Sequence, residues 1–465
     1  MGRSTSIGKT VAVVVAGAIM LSWVALFNHA PLVFADTSAY VTAAIQREIP
    51  GMFSVFYSLL ILPLHQGSTL WPVVFVQGAI MAHLLWLVLR CVSEGSVSKT
   101  ETLLIIAGLC VFSSLPWITG EIMPDVFSPV LLLGLFLLGF CSRQLGRFER
   151  VYLVVLTTVA ITTHFSHVPI ALGLILLCLM MWPFVAHDAV PMRRAAMLVL
   201  IPWLLAVSCM LTVNWLDSRE IGLARNSNVF LLAKWINDGP ALSYLESACP
   251  AAGYTLCAYV NELHGLTQDD LKWEGDSPFQ KIGTFDQLEP EARRIVWSTL
   301  RTHTLEILQR SILDAGRQLF QFATGDGLSP YFAQMVADRA SPIFGPEVAN
   351  SLLDSKQGQG QLPVGGFRQL HLVAVILAVV FGAWTVVARR QWLPGKLVTL
   401  YAFVIAGVVW NATVTGGLSG PYDRYLARVI WLLCFAALIG YRYVARGRAD
   451  STMRPVRAGD SRSRI

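Results

Sequence analysis

The chain has 465 residues, of which 55% are hydrophobic and only 14% charged, with a formal net charge of +6. A soluble domain carries roughly 25% charged residues, so this composition excludes an ordinary water-soluble globular protein and places most of the chain in hydrocarbon. The basic excess does not point to nucleic acid: seven of the 35 Lys and Arg residues lie between Arg442 and Arg464, after the last apolar run, and most others lie in short loops between runs.

The apolar runs are about 16 to 22 residues long and do not alternate, which selects helices over barrel strands. They fall near 10–27, 70–89, 102–117, 126–142, 151–165, 168–186, 195–216, 370–388, 397–415 and 425–444. The expectation is an all-α membrane protein, a polytopic bundle of about ten transmembrane helices. Arg3 and Lys9 followed by an apolar run, with Val33-Phe34-Ala35 beyond, also resemble a signal peptide. The run is longer than a usual signal core, so it reads as an uncleaved first span. Met52–Leu64 is bounded by Pro50 and Pro63 and is short for a span, which fits an interfacial or re-entrant helix.

Orientation follows from the basic residues of alternate loops. One side holds nineteen Lys and Arg, the other only Arg47, Arg368 and Arg424. That asymmetry puts both termini in the cytoplasm. Residues 1–216 then form a first membrane module with seven spans, and 367–445 a second with three. Residues 446–465 are a basic, disordered cytoplasmic tail. Between the modules, residues 217–366 have an ordinary soluble composition, 12 basic and 18 acidic, and read as a mainly helical periplasmic domain. In it, Leu300, Leu305, Leu308, Ile312, Leu319 and Phe322 recur at helical spacing, in a helix that lies on the membrane or packs against the spans. Six of the eight cysteines lie in or beside spans, where Cys acts as a small hydrophobe. Cys249 and Cys257, with seven residues between them, are expected to form a disulfide in an oxidising compartment.

Chemistry, on this reading, sits at the outer membrane boundary, where ionisable groups are costly and need a reason. The short outer loops carry five acids: Asp36, Glu48, Glu121, Asp125 and Asp423. Asp36-Thr37-Ser38 has the pattern of a helix cap, but a carboxylate fixed there could also take a proton from a hydroxyl. Glu121 and Asp125 lie four apart in a loop without a basic residue. Asp125 is also placed to cap a span, and two such acidic loops meeting would suit base catalysis or metal binding. His164 and His167 could donate to a phosphate or bind metal, or be ordinary interfacial histidines. Arg424, Tyr425 and Arg428 open the last span; the two arginines share a helical face and suit a lipid-linked phosphate, or simply anchor the helix.

Together, the acid in the first outer loop, the second acid in the next loop and the Arg424-Tyr425 pair near the last spans resemble the GT-C superfamily of membrane glycosyltransferases, which includes the protein O-mannosyltransferases and the lipid A aminoarabinose transferase. The resemblance implies an enzyme that moves a sugar from a polyprenyl-phosphate carrier to a glycan, lipid or protein acceptor on the periplasmic side of a bacterial inner membrane. It implies Asp36 as catalytic base, Asp125 as its partner, and Arg424 holding the carrier phosphate. Glu121, His164, His167, Tyr425 and Arg428 would line the substrate. The Trp273–Pro278 stretch is a further candidate for meeting the acceptor, without motif support. A single displacement would invert the sugar carbon. A divalent metal is compatible with these residues and nothing requires one. The chain departs from the pattern in lacking an Asp-Glu pair in the first loop and in carrying its large domain between spans seven and eight. A transporter or flippase for a lipid-linked saccharide would also use outward-facing acids and cations, although no midplane ionisable pair or repeated halves are visible. A polymerase or ligase of lipid-linked chains would differ mainly in its acceptor, and a non-catalytic scaffold is the remaining alternative.

Overall fold

The computed structural model describes residues 2–185, 191–219 and 221–452. The described residues are mainly helical. Among the described residues there is no strand, only one isolated parallel bridge between Leu32 and Glu121. Among the described residues, six helices are long and apolar enough to cross a membrane: Trp71–Val92, His167–Val185, Met192–Ser218, Val364–Ala388, Gly395–Leu418 and Asp423–Arg446. Their outward faces are apolar. On Val364–Ala388 alone, Leu372, Val373, Ile376, Leu377, Val379 and Val380 are all exposed, a surface that only a hydrocarbon solvent favours.

The other expected spans are helical but differ in length. The first is a helix, Gly2–Leu21, continued after a break at Ser22 by Trp23–Asn28. Lys99–Phe112 and Phe127–Phe140 have 14 residues each and Arg147–Thr162 has 16. At 1.5 Å per residue, such helices fall short of a bilayer core of about 30 Å. Phe127–Phe140 is buried on every side, so it presents no face to solvent or lipid and forms the centre of the main core. The short apolar stretch before residue 65 is the helix Val55–His65, capped by Ser54.

The inserted domain builds its own core. Val229, Leu232 and Ile236 of helix Ser227–Asp238 pack on Leu288, Ala292 and Ile295 of helix Phe285–Thr302. The helical pattern read across residues 295–322 is two helices, Phe285–Thr302 and Thr304–Gln318, broken at His303. Cys249 and Cys257 are disulfide-bonded. A second disulfide joins Cys91 to Cys141 and ties the ends of Trp71–Val92 and Phe127–Phe140 together. The general expectation that cysteines in or beside spans act as small hydrophobes does not describe this pair. Two cysteines that meet across a sequence separation of 50 leave no mark in local sequence.

The last helix, Asp423–Thr452, continues past Arg446, so the start of the tail expected to be disordered is helical, and residues 453–465 lie outside the described residues. At the end of the bundle that carries the basic loops, Arg90 pairs bidentately with Glu149 at 2.8 Å, and Glu101 holds both Arg442 and Arg446.

Candidate active site

The first two acidic loops are stitched together by backbone. Leu32 N donates to Gly120 O and Ile122 N to Leu32 O, both at 2.9 Å. Thr37 Oγ1 donates to Ile122 O at 3.0 Å while accepting from Phe34 N. Gln77, on helix Trp71–Val92, fixes the second loop from beneath by donating to the carbonyls of Thr119 and Glu121, and receives the Tyr57 hydroxyl at 2.8 Å. These bonds satisfy buried carbonyls that a loop inside a membrane protein would otherwise leave unpaired.

Onto this platform the last helix delivers its two arginines. Arg428 Nη1 lies 3.2 Å from Asp125 Oδ1, its Nη2 donates to Asn411 at 3.2 Å, and the pair is almost wholly enclosed, with side chains 1% and 4% exposed. Arg424 Nη1 lies 3.6 Å from Asp36 Oδ2, where the side chains are 15% and 23% exposed. Arg424 stacks on Phe34 at 4.2 Å and on Tyr425 at 5.3 Å, and Tyr425 also faces Arg428. Residues from both ends of the chain thus share one site. Helical spacing explains the division of labour: four residues apart, the two guanidiniums stack on one face and reach acids at different depths.

Asp36 occupies the cap position of helix Thr37–Gln46 but makes no capping bond. Its carboxylate turns to Arg424 instead. Burial raises its pKa above the ordinary aspartate value, against the opposing pull of Arg424. Glu121 is buried, with Oε1 lacking any hydrogen-bond partner. Burial first and the Asp125 charge second push its pKa up to about 8. At neutral pH it therefore keeps its proton.

His164 Nδ1 accepts from Ser166 N at 3.1 Å and faces Ser166 Oγ at 2.8 Å, which assigns the ring proton to Nε2. His167 is enclosed, with Nδ1 at 2.7 Å from Ala160 O and Nε2 at 2.8 Å from Ser128 Oγ. Both of its ring nitrogens are engaged within the protein, so it locks helix His167–Val185 to its neighbours. The Trp273–Pro278 stretch lies at the surface of the inserted domain, exposed from Trp273 to Asp276 and buried at Ser277 and Pro278, with the Trp273 ring against Phe230 and Phe285. The adjoining helix Gln268–Trp273 does touch the last loop: Tyr422 Oη donates to Asp269 at 2.7 Å and accepts from Gln268 at 2.9 Å.

One participant carried no signal in the sequence: Asp326, from the inserted domain, accepts from Arg424 N at 3.0 Å. Asp423, one of the five outer-loop acids, accepts from Ala323 N at 2.8 Å. Asn411 was legible in principle, as an amide inside an apolar run. Arg424 Nη1, which faces Asp36 only at 3.6 Å, and Arg428 Nε are buried without a hydrogen bond. Guanidinium nitrogens so weakly engaged can take a further acceptor. Among the described residues no three His, Cys, Asp or Glu side chains converge as metal ligands do. No protein-family model, curated protein or solved structure matches the chain.

Proposed function

We propose that the chain is a membrane glycosyltransferase of the GT-C type, transferring a sugar from a polyprenyl-phosphate carrier to a glycan, lipid or protein acceptor. On this reading it crosses a bacterial inner membrane about ten times with both termini cytoplasmic, and residues 217–366 stand in the periplasm beside the site. Of the shorter helices, Phe127–Phe140 crosses enclosed by its neighbours, whereas Lys99–Phe112 and Arg147–Thr162 each keep an exposed apolar face toward the lipid.

The observation that carries the reading is the convergence of Asp36, Asp125, Arg424 and Arg428 from three loops, with one buried nitrogen on each guanidinium lacking a hydrogen bond. The acceptor hydroxyl approaches Asp36, which takes its proton as the oxygen bonds to the anomeric carbon. The bond from that carbon to the carrier phosphate breaks, and the electron pair leaves on the phosphate oxygen. Arg424, aided by His164 Nε2–H, stabilises the growing charge. Attack opposite the leaving group inverts the carbon. Arg428 and Asp125 hold the floor of the site.

Transfer of labelled sugar from polyprenyl-phosphate donors, in membranes carrying the protein, tests this directly. Asp36→Asn should lower transfer by roughly 10²–10⁴-fold, the usual worth of a positioned base, with insertion and folding intact. Unchanged transfer in that variant would remove Asp36 from the mechanism. Absence of transfer by the wild-type protein with every donor would refute the enzyme reading and favour transport.

A further inference from the structure

Helix Thr304–Gln318 of the inserted domain has its polarity reversed. Its inward face carries Asp314 and Gln318, both buried, beside Ile307. Asp314 accepts from Lys234 at 2.6 Å, and Gln318 donates to the backbone of Gln321 and Tyr422. Its outward face carries Leu305, Leu308, Ile312 and Leu313, which are 82%, 55%, 62% and 47% exposed, and Phe320 follows at 84%. A helix on a water-facing domain turns its apolar stripe inward. This one does the opposite, as helices do where the surrounding medium is hydrocarbon.

Its position agrees. The helix lies against the end of the spanning helix Gly395–Leu418, so closely that a Cβ on Gly416 would stand 2.7 Å from Asp314 O and 3.0 Å from Ala315 Cα. Leu418, at that same end, is itself exposed. The apolar stripe is therefore continuous with the surface of a span. Arg310 and Arg317 follow along one edge of the stripe by helical spacing, where cations meet lipid phosphates.

We propose that Thr304–Gln318 is an interfacial helix whose occupant is the bilayer itself, with Leu305, Leu308, Ile312 and Leu313 in the acyl region and Arg310 and Arg317 at the headgroups. Lipid then becomes a structural partner of the inserted domain and, through the Gln318–Tyr422 bonds, of the loop that sets Arg424. The proposal stands whether or not the chain transfers sugar.

The test uses the full chain in bilayers of phosphatidylethanolamine and phosphatidylglycerol. Nitroxides are placed singly by Leu305→Cys, Leu308→Cys or Ile312→Cys, on a Cys209→Ser background because Cys209 is exposed, with Glu274→Cys as the water reference. Three separate positions keep the answer independent of any one variant's folding. Collision with oxygen should exceed collision with a soluble nickel chelate several-fold at all three, and the order should reverse at 274. Nickel access at 308 and 312 equal to that at 274 would overturn the proposal. So would protection from both reagents, which would mean that a second copy or another protein covers the stripe.

Discussion

Replacing Arg428 by methionine should be among the most damaging single changes in the molecule, and the damage should largely disappear when Asp125 is neutralised too. The side chains are 1% and 4% exposed and 3.2 Å apart. At an effective dielectric constant of 20 their attraction is about 5 kcal/mol, but burying two charges has already consumed much of that. Removing only the arginine leaves a buried carboxylate without its partner, which costs about 3–5 kcal/mol. Removing both charges, as Asp125→Asn with Arg428→Met, leaves two groups that need less solvation, and should cost about 2 kcal/mol or less. With a melting shift of roughly 2 °C per kcal/mol for a chain larger than about 250 residues, Arg428→Met should melt about 6–10 °C lower than wild type, and the double variant no more than about 4 °C lower. Melting of the purified protein, wild type and three variants in one detergent, completes the double-mutant cycle. A double variant whose shift equals the sum of the two single shifts would show that the residues do not touch. The closure of the last helix onto the second loop would then be wrong.

Two more outcomes follow from the same structure. Glu121 has a folded-state pKa of about 8, above the ordinary 4.5, so the folded state binds the extra proton and stability from this group is lost as pH rises through that interval, at about 1.4 kcal/mol per unit. Melting of Glu121→Gln should therefore gain on wild type steadily between about pH 5 and pH 8; a constant difference across that range would refute the raised pKa. Cys249 and Cys257 close a short loop, so Cys249→Ser with Cys257→Ser should destabilise the inserted domain by roughly 2–3 kcal/mol, and a thiol reagent applied to the unreduced, unfolded wild type should leave both cysteines unlabelled.

How much of this was visible in the sequence depends on whether a residue stood out against its surroundings. Asp36, Asp125 and Arg428 did, because a charge beside an apolar run is expensive and therefore rare. Asp326 did not. It is one of 18 acids in a domain of ordinary composition, and only the fold brings it to Arg424 N, 98 residues away. That the chain is built of apolar helices was legible from hydropathy, but the length of each helix was not. Lys99–Phe112 sits in apolar sequence that resumes at Leu115–Ile118 beyond the helix, and the turn at Ser113 carries neither proline nor glycine. The break at His303 is silent for the same reason. In the loops, capping and chemistry use the same residue types. The pattern Asp36-Thr37-Ser38 could not separate them, whereas the side chain's turn away from the helix and toward Arg424 does.

That turn also separates the two aspartates by role. Four carboxyl groups, Asp36, Glu121, Asp125 and Asp326, surround two guanidiniums. With Glu121 holding its proton, three negative charges face two positive ones, so a proton arriving in the site is welcome. Asp125 is a poor place for it, since Arg428 lies within hydrogen-bonding distance and water is excluded. Asp326 is committed to the backbone of Arg424. Asp36 has only a 3.6 Å contact, keeps 23% of its side chain open, and is already more basic than an ordinary aspartate. A carrier phosphate drawing Arg424 toward itself would weaken that one contact and raise the proton affinity of Asp36 further. On the proposed reading, the donor thus switches on the base. The acceptor's proton moves to Asp36 as negative charge moves to the leaving phosphate, and the net charge of the enclosed site stays constant through the step.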